Sequence, residues 1–187
     1  MGNTPNRVHG YRSPGNDDIL TLTMSDDYQL RTHRPGDLGW IVHRHGVLYH
    51  QEQGWNQNLE AVVAKAVSEF LFDPDERKCC LVAERDGEIL GSVMLMRDER
   101  YEEGDVARLR LLLVEPAARG LGLGRRLVQE VIRFCREAGY RKITLFTDQR
   151  LETARRLYAG HGFQMTKSES HTRFGPDCVG ETWELEL

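Results

Sequence analysis

Gly120, Gly122 and Gly124 stand at alternate positions between an apolar run and an amphipathic one, flanked by Arg119, Arg125 and Arg126. Glycine allows positive φ and close approach of the backbone to a ligand. The first N–H groups of a helix have no internal acceptor, and the helix dipole favours negative charge at that end. A glycine turn that opens a helix is therefore a cradle for a phosphate or pyrophosphate, and Arg119 and Arg125 add charge-assisted donors. Two nucleotide motifs fit poorly. A P-loop needs Gly-Lys-Ser/Thr at the helix start, whereas the chain has Gly124-Arg125-Arg126 and no hydroxyl for a magnesium ion. A dinucleotide fingerprint counted from Gly120 needs its third glycine where Arg125 stands.

The elements that would hold this turn follow from periodicity. Tyr28–Arg31 reads as a short strand. Asp37 can cap a helix carrying Leu38, Ile41, Val42 and His45, which Gly46 and Gly54 interrupt. Asn58 caps a second helix with Leu59, Val62, Val63, Ala66, Val67, Phe70 and Leu71 on one face. Cys80–Glu84 and Ile89–Met96 form a hairpin across Asp86-Gly87. Val106–Val114 is a strand covered on both sides, with Leu109, Leu111 and Leu113 facing one way and Leu112 and Val114 the other. Helical spacing returns at Leu123, Leu127, Val128, Val131, Ile132 and Cys135, and Gly139 ends that helix. Ile143–Phe146 is the next strand. A helix follows Asp148 with Leu151, Ala154, Leu157 and Tyr158 inward. Two last strands, Phe163–Met165 and Thr182–Leu187, flank a long polar loop, Lys167–Gly180. The order predicts a mixed α/β layer fold with an antiparallel first half.

Composition is that of a globular protein: 187 residues, 40% hydrophobic, 29% charged, net charge −4. Nothing in it calls for nucleic acid or a membrane surface. No apolar run reaches the ~20 residues of a membrane span, and the N-terminus lacks the apolar region of a secretory signal. The four cysteines show neither disulfide nor zinc spacing, which fits reduced buried thiols and a cytoplasmic setting.

The run Val114-Glu-Pro-Ala-Ala-Arg-Gly-Leu-Gly-Leu-Gly-Arg-Arg-Leu127 strongly resembles the GNAT superfamily of N-acetyltransferases, whose loop reads Arg/Gln-x-x-Gly-x-Gly/Ala. Leu157-Tyr-Ala-Gly-His-Gly-Phe163 resembles the family's second signature. More narrowly, His43–Tyr49, His171–Gly175 and Gly180–Leu185 resemble the acetyltransferase half of MarR-type regulator–acetyltransferase fusions. The resemblance spans roughly Gln29 to Leu187. It implies a single-domain GNAT fold over residues 21–187 behind a flexible tail at 1–20, with a mixed sheet of about six to seven strands and helices on both faces.

The resemblance also implies acetyl-CoA as co-substrate and direct attack by a primary amine of a small molecule, amino acid or peptide. The alternative is a catalytically silent CoA-binding module. The backbones of Leu112, Leu113 and Val114 would bind the pantetheine amides. Arg119, Gly120, Leu121, Gly122, Leu123, Gly124 and Arg125 would hold the pyrophosphate. Tyr158 would protonate the leaving thiolate; on spacing alone it reads as a core aromatic. Glu84, His43, His45 and Glu115 compete as general base. Leu151 departs from the Asn that many members carry near the cofactor, and Arg155 or Arg156 reads as the 3′-phosphate contact or a solvated helix face. Acceptor residues would be Trp40, His43, His45, His171 and Phe174, with His43, Arg44 and Arg173 as receptors for a carboxylate. No metal, nucleic-acid or membrane partner is expected; a homodimer is left open.

Overall fold

The structure, a computed structural model, describes residues 28–187, so the tail at 1–20 and the domain start at 21 lie outside the described residues. The elements run β1 (Gln29–Thr32), α1 (Asp37–Gln53), α2 (Asn58–Phe72), β2 (Cys79–Arg85), β3 (Glu88–Arg97), β4 (Val106–Val114), a 3-10 turn (Pro116–Ala118), α3 (Leu123–Glu137), β5 (Lys142–Asp148), α4 (Glu152–Gly160), β6 (Gln164–His171) and β7 (Cys178–Glu186).

The strands form one seven-stranded sheet in the order β1-β2-β3-β4-β5-β7-β6. Every neighbouring pair is antiparallel except β4 and β5. One face packs Ile41, Val63, Phe70, Met94 and Met96 beneath α1 and α2. The other packs Leu127, Val128, Val131 and Cys135 of α3 on Leu81, Val93 and Leu95, and α4 adds Tyr158 there. Burying such a stripe of full-sized aliphatic side chains stabilises by about 1.5–3 kcal/mol apiece, which is what holds an arginine-rich helix such as α3 against the sheet.

Two features of β4 shape everything beside it. Between Ser92↔Leu113 and Met94↔Arg110 two residue steps of β3 face three of β4, and Leu111 sits at φ 53. This is a bulge, and it breaks the predicted alternation. Leu109, Leu112 and Val114 contact the α3-side core, while Leu111 turns to the α1–α2 side. Second, the parallel pairing of β4 with β5 stops at Leu109↔Leu145. β5 stays paired to β7 as far as Asp148↔Gly180, while among the described residues the β5-side edge of β4 from Arg110 to Val114 has no strand beside it. A slot opens there.

Other expectations need correction. Gly46 does not interrupt α1. A Cβ there would lie 2.4 Å from Glu60 Cγ, so the glycine lets α2 approach. Asp37 is the first helical residue and not the cap; its carboxylate accepts hydrogen bonds from the Arg34 backbone N–H at 2.7 Å and from Arg31 at 2.5 Å. Asn58 likewise opens α2 without capping it. The long loop at 167–180 is mostly a hairpin, leaving 172–177 as the connection. β6 is exposed along nearly its whole length, QMTKSESH, so a polar edge strand gives no apolar alternation to read.

Candidate functional site

The slot ends at the glycine turn. Gly120 (φ 83) and Gly122 (φ 73) adopt the left-handed conformation, and Gly122 is the N-cap of α3. Among the described residues the backbone N–H groups of Gly120, Leu121, Gly122, Leu123, Gly124 and Arg125 find no acceptor in the protein; the regular ladder begins with Arg126 N–H to Gly122 O at 3.1 Å. A Cβ on Gly124 would touch Leu157 (3.4 Å) and Val114 (3.7 Å), so α3 and α4 flank a narrow floor. The resulting groove encloses about 1730 Å3, open mouth included, and Leu112, Leu113, Val114, Arg119 and Arg125 line it with the glycines. The side chains of Leu113 (3% exposed) and Leu123 (1%) are in the core, and Leu113 is paired with Ser92 of β3. Leu121 is 41% exposed and does not line the groove. Arg119 pairs with Glu52 at 2.7 Å. The donor set fits the diphosphate and amide arm of a CoA thioester: unpaired main-chain donors at a helix mouth, beside a strand edge without a neighbour.

A second pocket, about 900 Å3, adjoins the groove under α1 and α2. Tyr49, Leu112, Leu151 and Ala154 line both, and mark the junction. Tyr158 lines the pocket beside that junction. It is 5% exposed, its hydroxyl has no hydrogen-bond partner among the described residues, and burial with the neighbouring Tyr49 raises its pKa. Tyr49 is pushed up to about 12 by burial and by Glu52. One wall is a run of rings: His45 on Tyr49 (5.8 Å), Tyr49 on Trp55 (5.1 Å) and Trp55 on Phe174 (4.8 Å). His45 donates from Nδ1 to Ile41 O at 2.8 Å, and burial pulls its pKa down to about 4, so it stays neutral at physiological pH.

Of the predicted acceptor residues, His45 and Phe174 line the pocket. His171 stands behind Phe174, 5.5 Å between ring centres, with Nε2 buried and unpartnered. Trp40 packs on the α1–α2 core outside the pocket lining, and His43 is exposed. Arg44 is held by Glu115 through two bonds of 2.6 and 2.7 Å, and Glu84 by Arg31 at 2.5 Å. Neither carboxylate is free to act as a base, and Arg44 is not free to receive an acceptor. Arg155 pairs with Glu181 at 2.9 Å; Arg156 lines the cofactor groove.

Sequence reasoning missed Arg108, Arg110, Trp55, Phe146 and Asp148, all in the pocket. Arginines at alternate positions in a strand read as covered on both sides were the available signal. Asp148 at the C-terminal end of a central strand was another. Among the described residues there is no cluster of potential metal ligands, and no helix is long and apolar enough to cross a membrane.

The Acetyltransferase (GNAT) family matches over residues 39–163. The mycothiol acetyltransferase of Acidothermus cellulolyticus is 32% identical over 157 residues, covering 76% of this chain and 46% of that protein. The mycothiol acetyltransferase of Sanguibacter keddieii is 33% identical, covering 75% and 44%. The chain thus spans about half the length of the curated relatives it matches. Among solved structures, Salmonella typhimurium yncA with its cofactor acetyl-CoA superposes with a TM-score of 0.67 at 20% identity, covering 86% of this chain and 94% of that one. The ribosomal-protein-alanine N-acetyltransferase of Brucella melitensis superposes at 0.68 with 21% identity, covering 84% and 99%.

Proposed function

The chain belongs to the GNAT acetyltransferase family, and from that premise we propose that it transfers an acetyl group from acetyl-CoA to the primary amine of a small molecule or peptide. The observation that carries this reading is the coincidence of two open backbone edges, the unpaired amides of 120–125 and the unpaired β4 edge at 110–114.

In this reading Gly120–Arg125 donate main-chain N–H groups to the pyrophosphate, with Arg119 and Arg125 flanking it. Leu112, Leu113 and Val114 offer backbone groups to the amide arm. Acetyl-CoA supplies an activated acyl thioester at the junction lined by Tyr49, Leu112, Leu151 and Ala154. Tyr158 holds a proton there. Its hydroxyl is protonated at neutral pH and has no hydrogen-bond partner among the described residues, which suits it to deliver that proton to a departing thiolate held within reach. His45 is too weak a base to take a proton from an ammonium. Asp148, buried with Oδ2 unpartnered, is the carboxylate of the pocket and suits holding the ammonium beside the thioester.

The buried free cysteines, Cys79, Cys80, Cys135 and Cys178, support an intracellular setting. The mycothiol acetyltransferases point to an amine on a small molecule. The likeness to regulator-fused acetyltransferases rests on residues 43–49, 171–175 and 180–185 alone. Amine-dependent release of free thiol from acetyl-CoA tests the activity. Binding of acetyl-CoA without release under any amine would support the silent module instead.

A further inference from the structure

Arg108 is the anomaly of the acceptor pocket. It projects from β4 on the α1–α2 side and lines the pocket, yet among the described residues its guanidinium has no hydrogen bond and no ion pair. Its neighbours are all engaged. Arg110 donates to Glu69 at 2.7 Å, and Arg100 is held by Asp98 at 2.5 Å. Burial, with those two cations nearby, pulls the pKa of Arg108 down to about 10, leaving it charged at neutral pH. A half-buried charge without a partner is costly. Replacing it by an apolar residue in this wall of Leu59, Val62 and Val63 would be the cheaper solution for packing alone.

The opposite charge lies at the other end of the same pocket. Asp148 is 2% exposed and its Oδ2 has no partner. Arg108 pairs across the sheet with Thr144, four residues before Asp148 on β5, which is about 13 Å of strand. Asp148 therefore sits towards the slot and Tyr158, and Arg108 towards the floor under α2. The two do not touch.

Resting on the acetyltransferase reading, we propose that the acceptor is an amine carrying a carboxylate several bonds from its nitrogen, with the carboxylate received by the Arg108 fork and the ammonium drawn to Asp148. A planar guanidinium matches a carboxylate with two parallel hydrogen bonds.

The test is acetyl transfer to matched amines, β-alanine against propylamine and γ-aminobutyrate against butylamine, with phosphoethanolamine as the phosphate arm, for the wild type, Arg108→Gln and Arg108→Lys. The wild type should favour the carboxylates. Arg108→Gln should cut kcat/KM for them by about 100-fold, far more than for the uncarboxylated amines, and leave the KM of acetyl-CoA unchanged. Arg108→Lys should recover part of the loss, since charge returns without the fork. Unchanged acetyl-CoA binding by calorimetry reports that the variants fold. Neutral amines used as well as carboxylates by the wild type, a preference for phosphoethanolamine, or transfer to no carboxylated amine would overturn this proposal while acetyl-CoA still binds. Absence of acetyl-CoA binding would overturn the reading beneath it.

Discussion

The groove at the mouth of α3 and the pocket under α1 and α2 share a boundary but are built in opposite ways. The groove's hydrogen-bond donors are backbone, and the largest share of its lining comes from one continuous stretch, Leu112 to Arg125, with α1 and α4 supplying the sides. Its donors are amides that the fold leaves without acceptors, and several of its side chains point into the core or out to solvent. The pocket is made of side chains from α1, the α1–α2 connection, α2, β4, β5, α4 and the 172–177 turn. Main-chain recognition tolerates side-chain change and serves one conserved chemistry, a diphosphate. Side-chain recognition is rebuilt by single substitutions and suits the variable acceptor.

That contrast can be broken at several points. The largest expected effect is at the boundary. Tyr158→Phe should lower kcat by roughly 100- to 10,000-fold, the usual span for a general acid, with the dissociation constant of acetyl-CoA within about twofold by calorimetry. Equal losses in both would make Tyr158 a packing residue.

Next is the acid sensitivity of the pocket. His45 has a folded pKa of about 4 against 6.5 unfolded. The unfolded chain therefore binds the extra proton between those values. Stability is intact above pH 6.5 and falls as the pH drops towards 4, by about 3 kcal/mol in all. His33, also lowered by burial, acts in the same direction. The difference between wild type and His45→Gln in urea midpoints across this window isolates His45, and a parallel pH profile for the two would contradict the assignment.

Smaller effects are expected in the groove. Gly122→Val places a β-branched residue at φ 73, at a cost of about 1–2 kcal/mol. It should weaken acetyl-CoA binding about tenfold and leave acceptor preference unchanged. Leu121→Ala, at an exposed side chain, should change the KM of acetyl-CoA by less than about twofold. A large effect there would mean that side chains, not amides, do the binding.

The same contrast explains what could be read from the chain. The glycine turn was legible because its shape depends on local backbone: Gly120 and Gly122 announce positive φ, and with Gly124 a helix mouth, without any tertiary information. Strand β4 and the stripe of α3 were legible through period. The bulge at Leu111 was not, because a non-glycine residue at positive φ leaves no compositional mark, and it moved that side chain to the other face. The lining of the second pocket was half legible. Location on α1 identified His45 but could not tell it from His43, two positions away on another side of the helix. Arg44 reads as free in sequence and is spent on Glu115, a partner distant along the chain. Arg108 and Asp148 gain meaning only once β4 and β5 stand side by side.

The central claim is that the amides from Gly120 to Arg125 are unpaired in the protein and become hydrogen-bonded when acetyl-CoA binds. Amide hydrogen exchange with and without saturating acetyl-CoA tests it directly. The account predicts fast exchange at Gly120, Leu121, Gly122, Gly124 and Arg125 in the free protein and strong protection on binding, together with Leu112 and Val114. Protection already present without acetyl-CoA, or none gained at these positions when it binds, would contradict it.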